Sequence, residues 1–158
     1  MTFSAPPEGA SSTTAVATEI ADDNELIRGI TEEQVIYDER RKCRRVSSAA
    51  IDTSSEPNGG MSMDLRRLVE AAGISPEEHI EGRWVGALLL TAGMLRAEGL
   101  RVGHDPLPTN PYHCQAWGKI TKGMQRKILR SARWYVPVGG VNISDQECDE
   151  ANQAHQPD

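Results

Sequence analysis

Opposite charges are segregated along this chain. Residues 40–141 carry 16 of the 17 lysines and arginines against nine acidic residues, whereas residues 1–39 carry nine acidic residues and one arginine. Residues 142–158 carry five acidic residues and no basic one. The formal net charge of −6 therefore conceals a basic central region between two acidic ends. This layout indicates either an anionic partner or acidic ends that neutralise the basic region within the same chain.

The composition of the two ends predicts that they lie outside the folded domain. Residues 4–23 are almost all Ser, Thr, Ala, Pro, Glu and Asp, with no aromatic residue, and residues 142–158 are similarly polar. Such segments bury too little apolar surface to offset the entropy lost on ordering. We predict disordered acidic termini at 1–23 and 142–158. Between them, residues 24–141 are expected to form one small α+β domain with a mixed β-sheet and three to four helices.

Apolar spacing and capping signals locate the elements of this domain. A helix beginning at Ser62 has apolar residues at i, i+3, i+4 and i+7 and ends at Gly73. Ser75 begins a second helix, with Pro76 at its first position and Glu78 completing a capping box. An amphipathic helix is predicted over 121–134. The predicted strands cover 26–30, 35–37, 46–51, 100–102, 112–117 and 135–138.

Residues 83–98 allow two interpretations. They form either one long helix, or a buried strand over 84–90 followed by a short helix that Thr91 caps and that ends before Gly99. The continuous apolar run and the internal cap favour the second interpretation, whereas the lack of β-branched residues after Val85 argues against it. With the next strand, the second interpretation gives a β-α-β unit.

Cysteine usage and hydropathy indicate a cytoplasmic protein. Cys43, Cys114 and Cys148 are an odd number at wide spacing and give no disulfide framework. The first residues lack the pattern of a secretory signal, and the longest apolar run, 84–90, is too short to span a bilayer. We expect a reducing compartment and no association with a membrane.

Two groups of basic residues form the main binding prediction. In a helix near residues 119–134, five cations fall within an arc of roughly 80°, at about 100° per residue. A solvated face is the commonest meaning of such a pattern, but five like charges without interspersed acids repel one another. The predicted partner- or phosphate-binding residues are Lys119, Lys122, Arg126, Arg130 and Arg133, together with Arg40, Arg41 and Arg44.

His113 is the candidate catalytic residue. In a strand it shares a face with Gln115 and Trp117, and it follows a proline-rich loop that contains His104 and Asp105. Histidine titrates near neutral pH and so exchanges protons or binds phosphate; a hydrogen-bonded structural role is the alternative. We expect His79 and His155 to be surface or tail residues.

Ser48, a hydroxyl near the end of a predicted strand, is a candidate catalytic residue if the chain is an enzyme. For Ser48 the alternative is a cap or turn hydrogen bond, and no Gly-x-Ser-x-Gly elbow surrounds any serine. Neither Gly59-Gly60 nor Gly139-Gly140 has the spacing of a nucleotide motif, so no cofactor is predicted. No metal site is predicted either, because there is no Cys-x-x-Cys and adjacent strand residues point to opposite faces.

Four short motifs occur in this order along the chain: Leu26-Ile27-Arg28, Arg45-Val46-Ser47-Ser48-Ala49-Ala50, Met61-Ser62-Met63 and Asn110-Pro111-Tyr112-His113. They resemble a group of small uncharacterised bacterial proteins, which share Leu-x-Arg, Ser-Ser-x-Ala-Phe, Met-Ser-Val and a Pro-x-His strand in the same order. Ile51 and Met63 stand where the group favours Phe and Val. The resemblance covers roughly 24–135 and implies a common fold rather than an activity.

A looser similarity is to ADP-ribosyltransferase-like folds, which pair an early-strand Arg with a later Ser to hold a nicotinamide dinucleotide. That similarity implies such a role for Arg28 with Ser47 or Ser48, assisted by His113, although the catalytic Glu of most such enzymes is not found.

Two functions follow. The first is an interaction module whose basic helix face binds an acidic protein or the phosphates of nucleic acid. The second is a small enzyme acting on a phosphate-bearing or dinucleotide substrate through His113 and Arg28.

Overall fold

The fold is built on a six-stranded antiparallel sheet. The computed structural model describes residues 17–56 and 59–154. The strands of the sheet are β1 (Glu25–Ile30), β4 (Met61–Leu65), β5 (Gly86–Thr91), β6 (Arg101–His104), β7 (His113–Trp117) and β8 (Arg133–Val136). Their order in the sheet is β6-β7-β4-β1-β5-β8.

The described residues also contain a separate two-stranded hairpin and five α-helices. The hairpin pairs β2 (Val35–Asp38) with β3 (Cys43–Val46). The helices are α1 (Arg66–Ala71), α2 (Pro76–Ile80), α3 (Ala92–Ala97), α4 (Lys122–Ser131) and α5 (Asp145–Ala154). The α+β class predicted from the sequence is confirmed, with one helix more than expected.

The two faces of the sheet are covered unequally. One face carries Leu26, Leu88 and Leu90 and packs against α3 and α4 in the main core, with Leu95 and Ile128 fully buried there. The opposite face has a smaller apolar cluster, which α1 and α2 cover with Val69 and Ile80 over β1 and β5. On β4 and β7 that second face is polar, because alternate residues point to opposite sides of a strand.

Short-range signals predicted several elements correctly. Ser75 Oγ accepts from the Glu78 amide at 3.2 Å, and Glu78 Oε1 accepts from the Ser75 amide at 2.9 Å, which forms the capping box. Gly73 ends α1 with φ of +77°, a left-handed conformation that favours glycine. Thr91 caps α3 through the Met94 amide, so residues 83–98 are a strand followed by a helix.

Some predicted boundaries and one connection are corrected. The segment beginning at Ser62 is a strand, and α1 starts only at Arg66. The amphipathic helix ends at Ser131, and the predicted strand 46–51 is instead β3 followed by the 3-10 turn Ser48–Ala50. The predicted β-α-β unit is β5-α3-β6, but its two strands are not neighbours in the sheet. Strands β1, β4 and β7 lie between β5 and β6.

For residues 142–154 the structure corrects the prediction of a disordered tail. Ile143 and Cys148 are buried, and Arg130 holds Asp145 with two hydrogen bonds of 3.0 Å. A disulfide joins Cys43 of β3 to Cys148 of α5, contrary to the cysteine prediction. Few apolar residues suffice here because the two largest of them, Ile143 and Cys148, are buried and the disulfide and the ion pair add to the attachment. Residues 155–158 lie outside the described residues.

The N-terminal boundary also shifts. Ile20 is only 7% exposed and packs in the main core, so the ordered structure begins before residue 24. Of the predicted disordered segment, residues 1–16 lie outside the described residues. Within the parts of the chain that the structure covers, no helix has the length and hydropathy needed to cross a membrane.

Candidate active site

A cavity of about 190 Å³ opens between the central strands β1 and β4. These strands pair at Leu26–Leu65 and at Ile27–Asp64. The next residues of each strand, Arg28 and Gly29 on β1 and Ser62 and Met63 on β4, are not paired with each other and line the cavity. Its polar wall consists of Arg28, Ser62, Asp64, Arg83, Asn110 and His113.

Arg28 bridges the opening between the two strands. Its Nη1 donates to the Ser62 carbonyl oxygen at 2.8 Å, and its Nε donates to the Ala50 carbonyl oxygen at 2.9 Å. Burial lowers the pKa of the guanidinium, an effect that the charge of Asp52 opposes. These two bonds use two of the five N–H donors of the guanidinium, and no described residue accepts from the other three.

His113 lies between a hydroxyl and a carboxylate. Its Nδ1 is 2.9 Å from the Asp105 carbonyl oxygen and 3.4 Å from the Asp105 carboxylate, whereas its Nε2 is 3.2 Å from Ser62 Oγ. A carbonyl oxygen only accepts hydrogen bonds, so Nδ1 carries the proton. In the neutral imidazole Nε2 is then the acceptor, and Ser62 Oγ–H donates to it.

Strand register and a side-chain network hold this arrangement. β4 and β7 pair with Asp64 opposite His113 and Ser62 opposite Gln115, so these residues share one face. Gln115 Nε2 donates to the Asp105 carboxylate at 2.7 Å. The Gly60 amide donates to Gln115 Oε1 at 2.9 Å, which fixes the orientation of the amide.

A buried carboxylate forms the other side of the cavity. Asp64 Oδ2 is 2.7 Å from His79 Nε2, and Asp64 Oδ1 accepts from Asn110 Nδ2 at 2.8 Å. Burial by itself would raise the pKa of Asp64, but the hydrogen bonds from His79 and Asn110 and the charge of Arg83 lower it below the usual value. The carboxylate is therefore ionised and satisfied. His79 is buried, contrary to the prediction that it lies at the surface.

Trp84 forms an apolar wall. Its indole lies on Gly29, where a Cβ would overlap the ring. The Arg83 guanidinium stacks on this indole, 3.9 Å from the ring centroid. Arg83 also approaches the Asp64 carboxylate at 3.6 Å.

A second cavity, of about 600 Å³, adjoins the first. Arg83 and Asn110 line both cavities. The remaining wall of the second is partly apolar and includes Ile74, Leu107 and Tyr112. The two cavities together provide a small site lined by two arginines beside a wider one with a mixed polar and apolar wall.

The structure brings together two of the three predicted catalytic residues. Arg28 and His113 line the same cavity, whereas Ser48 is not among the lining residues. Ser48 belongs to the 3-10 turn whose last residue, Ala50, accepts the bond from Arg28. The serine beside His113 is Ser62. The alternation of polar and apolar residues in Met61-Ser62-Met63-Asp64 was the available sign of a strand with a polar face.

The predicted basic surface is divided among several elements. Lys122, Arg126 and Arg130 lie on α4, but Lys119 precedes it and Arg133 belongs to β8. Carboxylates of this chain neutralise three of the predicted cations. The ion pairs are Arg130 with Asp145, Arg133 with Glu25, and Arg41 with Asp38, Asp145 and Asp149.

The neutralising acids come from the acidic ends of the chain. This is the internal alternative that the charge layout allowed. The predicted cations that form no ion pair with any described residue are Arg40, Arg44, Lys119, Lys122 and Arg126.

Neither a metal cluster nor a related protein identifies the site. Among the described residues, no group of three or more His, Cys, Asp and Glu is placed to hold a metal ion. Comparison of the chain with protein-family models, curated proteins and solved structures finds no match. The resemblance to small bacterial proteins therefore stays a prediction, and the chemistry must be argued from the residues.

Proposed function

We propose that this protein is a small enzyme that acts on a phosphate-bearing small molecule. In this proposal Arg28 binds the anionic group and His113 transfers a proton. The observation that carries the proposal is the convergence of Arg28, Ser62 and His113 on one cavity between β1 and β4.

The charge of the cavity favours an anionic ligand. Two guanidinium groups, those of Arg28 and Arg83, line it, and arginine matches the geometry of phosphate oxygens with paired N–H donors. The Asp64 carboxylate would oppose an anion, but His79, Asn110 and Arg83 already engage it. The cavity thus presents cationic donors with its one lining carboxylate compensated.

The volumes support a two-part substrate. About 190 Å³ accommodates a phosphoryl group with a short attachment, and is less than the 300–1,000 Å³ typical of drug-sized ligand pockets. The adjoining cavity of about 600 Å³ has room for the rest of the molecule. A complete dinucleotide therefore requires both cavities.

Binding of inorganic phosphate and pyrophosphate, measured by calorimetry, tests the anion site. Arg28→Lys retains the charge but loses the guanidinium fork, so we expect about tenfold weaker binding, or a loss of about 1.4 kcal/mol. Arg126→Met removes an exposed cation of α4 and is the matched control, with unchanged affinity. Equal binding by Arg28→Lys and the parent protein would refute the role of Arg28.

Turnover of a panel of phosphate esters tests the role of His113. General acid-base catalysis contributes about 10²- to 10⁴-fold, so His113→Gln should reduce kcat at least 100-fold while the melting temperature and phosphate affinity change little. If the melting temperature of His113→Gln falls together with its activity, the role of His113 is structural and not catalytic. Absence of turnover across the panel by the folded parent protein would refute the enzyme proposal.

The interaction module is a second candidate. The exposed cations Arg40, Arg44, Lys122 and Arg126, which form no ion pair among the described residues, favour it. Binding of an acidic protein or a nucleic acid should weaken steeply with salt, because cation–phosphate contacts release counterions. Charge reversal at Lys122 and Arg126 should abolish this binding and leave phosphate binding in the cavity intact. Flat salt dependence would exclude the nucleic-acid version.

The compartment is a separate proposal that the cysteines can test. The cytoplasmic location expected from the sequence requires Cys43 and Cys148 to be reduced in cells, since cytosolic thiols are kept reduced. Acid quenching of the cells, followed by alkylation of the denatured protein and mass spectrometry, counts the free ones, including the buried Cys114. Three alkylated cysteines support the cytoplasm, and one supports an oxidising compartment.

A further inference from the structure

We propose that Ser62 is the nucleophile of this site and forms a covalent phosphoserine intermediate. The inference rests on the proposed function for its substrate class, a phosphate monoester. It adds the attacking residue and the reaction type, which the binding of an anion alone does not require.

His113 is oriented to activate Ser62 as a nucleophile. The Asp105 carbonyl oxygen accepts from Nδ1–H, so Nε2 is the basic atom and receives the proton of Ser62 Oγ at 3.2 Å. The Asp105 carboxylate, 3.4 Å from Nδ1, stabilises the imidazolium that forms. A nucleophile, a base and a group that orients the base are the three parts of an activated serine.

The surroundings of Ser62 suit attack on phosphorus. Ser62 is exposed, in contrast to Met61 and Met63, which are buried on the other face of β4. Arg28 lines the same cavity, and its Nη1 donates to the Ser62 backbone carbonyl oxygen at 2.8 Å. A guanidinium at this position stabilises the charge on the equatorial oxygens of a transferring phosphoryl group.

The reaction balances with water as the only co-reactant. Ser62 Oγ attacks phosphorus, the Oγ–P bond forms, and the bond from phosphorus to the leaving oxygen breaks. The serine proton passes to His113 Nε2 and from there to the leaving oxygen, which departs as an alcohol. Water then attacks the phosphoserine, gives its proton to His113, and inorganic phosphate leaves as Ser62 Oγ recovers that proton.

Labelling with diisopropyl fluorophosphate tests the nucleophile without knowledge of the substrate. The reagent forms a bond from phosphorus to an activated serine oxygen and releases fluoride. The parent protein should gain a single adduct that peptide mass spectrometry assigns to Ser62. Ser62→Ala should gain none, and His113→Gln should react about 100-fold or more slowly. Ser48→Ala is the matched control and should react at the parent rate.

The outcomes separate this inference from the proposed function. No adduct on the folded parent protein, or an adduct on a different residue, overturns the nucleophile, and an unchanged rate in His113→Gln overturns its activation by His113. Arg28-dependent phosphate binding together with any of these results leaves the anion site standing. Labelling of Ser62 without phosphate binding would instead overturn the phosphate-bearing substrate, and with it this reaction. Thermal unfolding of each variant confirms that it is folded.

Discussion

Arg28 Nη1 donates a hydrogen bond to the carbonyl oxygen of Ser62, 2.8 Å away, in the opening between the two central strands. An arginine side chain thereby satisfies a backbone acceptor on the neighbouring strand. The same guanidinium lines the cavity that results. Arg28 thus contributes both to the stability of the sheet and to the charge of the candidate site.

Arg28→Met should therefore reduce both stability and phosphate binding. The carbonyl oxygen of the buried Ala50 would lose its donor, and an unsatisfied buried polar group costs about 1–3 kcal/mol. Urea unfolding measures the loss in the free energy of unfolding. Arg126→Met, which removes an exposed arginine of α4, should change it by less than about 0.5 kcal/mol. A stability equal to that of the parent protein would contradict the bridging role.

Gly29→Ala should displace Trp84 from the wall of the cavity. The added Cβ would overlap the indole, and overpacking of this kind costs about 1–3 kcal/mol. The indole N–H resonance of Trp84 should shift, and phosphate binding should weaken. Gly123→Ala in α4 is the control, because the nearest atom to its new Cβ lies 3.9 Å away. That variant should be more stable by about 0.5–1 kcal/mol. An unmoved Trp84 resonance in Gly29→Ala would contradict the packing.

Removal of the disulfide should loosen α5. The Cys43–Cys148 bond links residues 105 positions apart, and loss of a native disulfide typically costs about 2–4 kcal/mol. Cys43→Ser/Cys148→Ser should show this loss in urea unfolding. Reductant should lower the parent protein to the same stability and leave the double variant unchanged. Burial raises the pKa of the Cys114 thiol, so that residue should not react with an alkylating reagent in the folded state.

Acid should destabilise the protein through the ion pairs of the chain ends. Hydrogen bonds from Arg45 and Arg41 lower the pKa of Asp38, and a hydrogen bond from Arg130 lowers that of Asp145. Because these folded-state pKa values lie below the unfolded value of about 3.9, the stabilisation is complete above that pH and is lost as the pH falls further.

Urea unfolding between pH 7 and pH 2 measures this dependence. Asp145→Asn should be less stable than the parent at pH 7, and its stability should fall less steeply below about pH 4. A variant whose stability runs parallel to that of the parent over this range would show that Asp145 forms no pairing specific to the folded state.

Signals that depend on neighbours in sequence were sufficient for much of the fold. The capping box at Ser75, the cap at Thr91 and the stop at Gly73 each involve residues at most four positions apart. They predicted α2, α3 and the end of α1 correctly. The acidic C-terminal segment was misjudged because composition does not show that Ile143 and Cys148 share a buried face.

The full set of site residues could not be predicted, because it depends on which residues pair between strands that are distant in sequence. His113 was identified from its strand face and the polar loop before it, and Arg28 from the similarity to ADP-ribosyltransferase-like folds, but their partner was taken to be Ser48. The pairing of β4 with β7 places Ser62 beside His113, 51 residues away, and no local pattern contains that register. The charge layout likewise left open whether the acids bind the basic residues internally, and the pairs at Arg41 and Arg130 give the answer for those two.

The most direct measurement is a titration of the isotope-labelled protein with inorganic phosphate, followed by amide and indole resonances. We predict saturable shifts at Arg28, Gly29, Ser62 and His113 and at the Trp84 indole, with one common dissociation constant. Arg28→Lys should weaken them together. Saturable shifts confined to residues 122–130 and 40–44, or no saturation at the cavity, would contradict an anion site between β1 and β4.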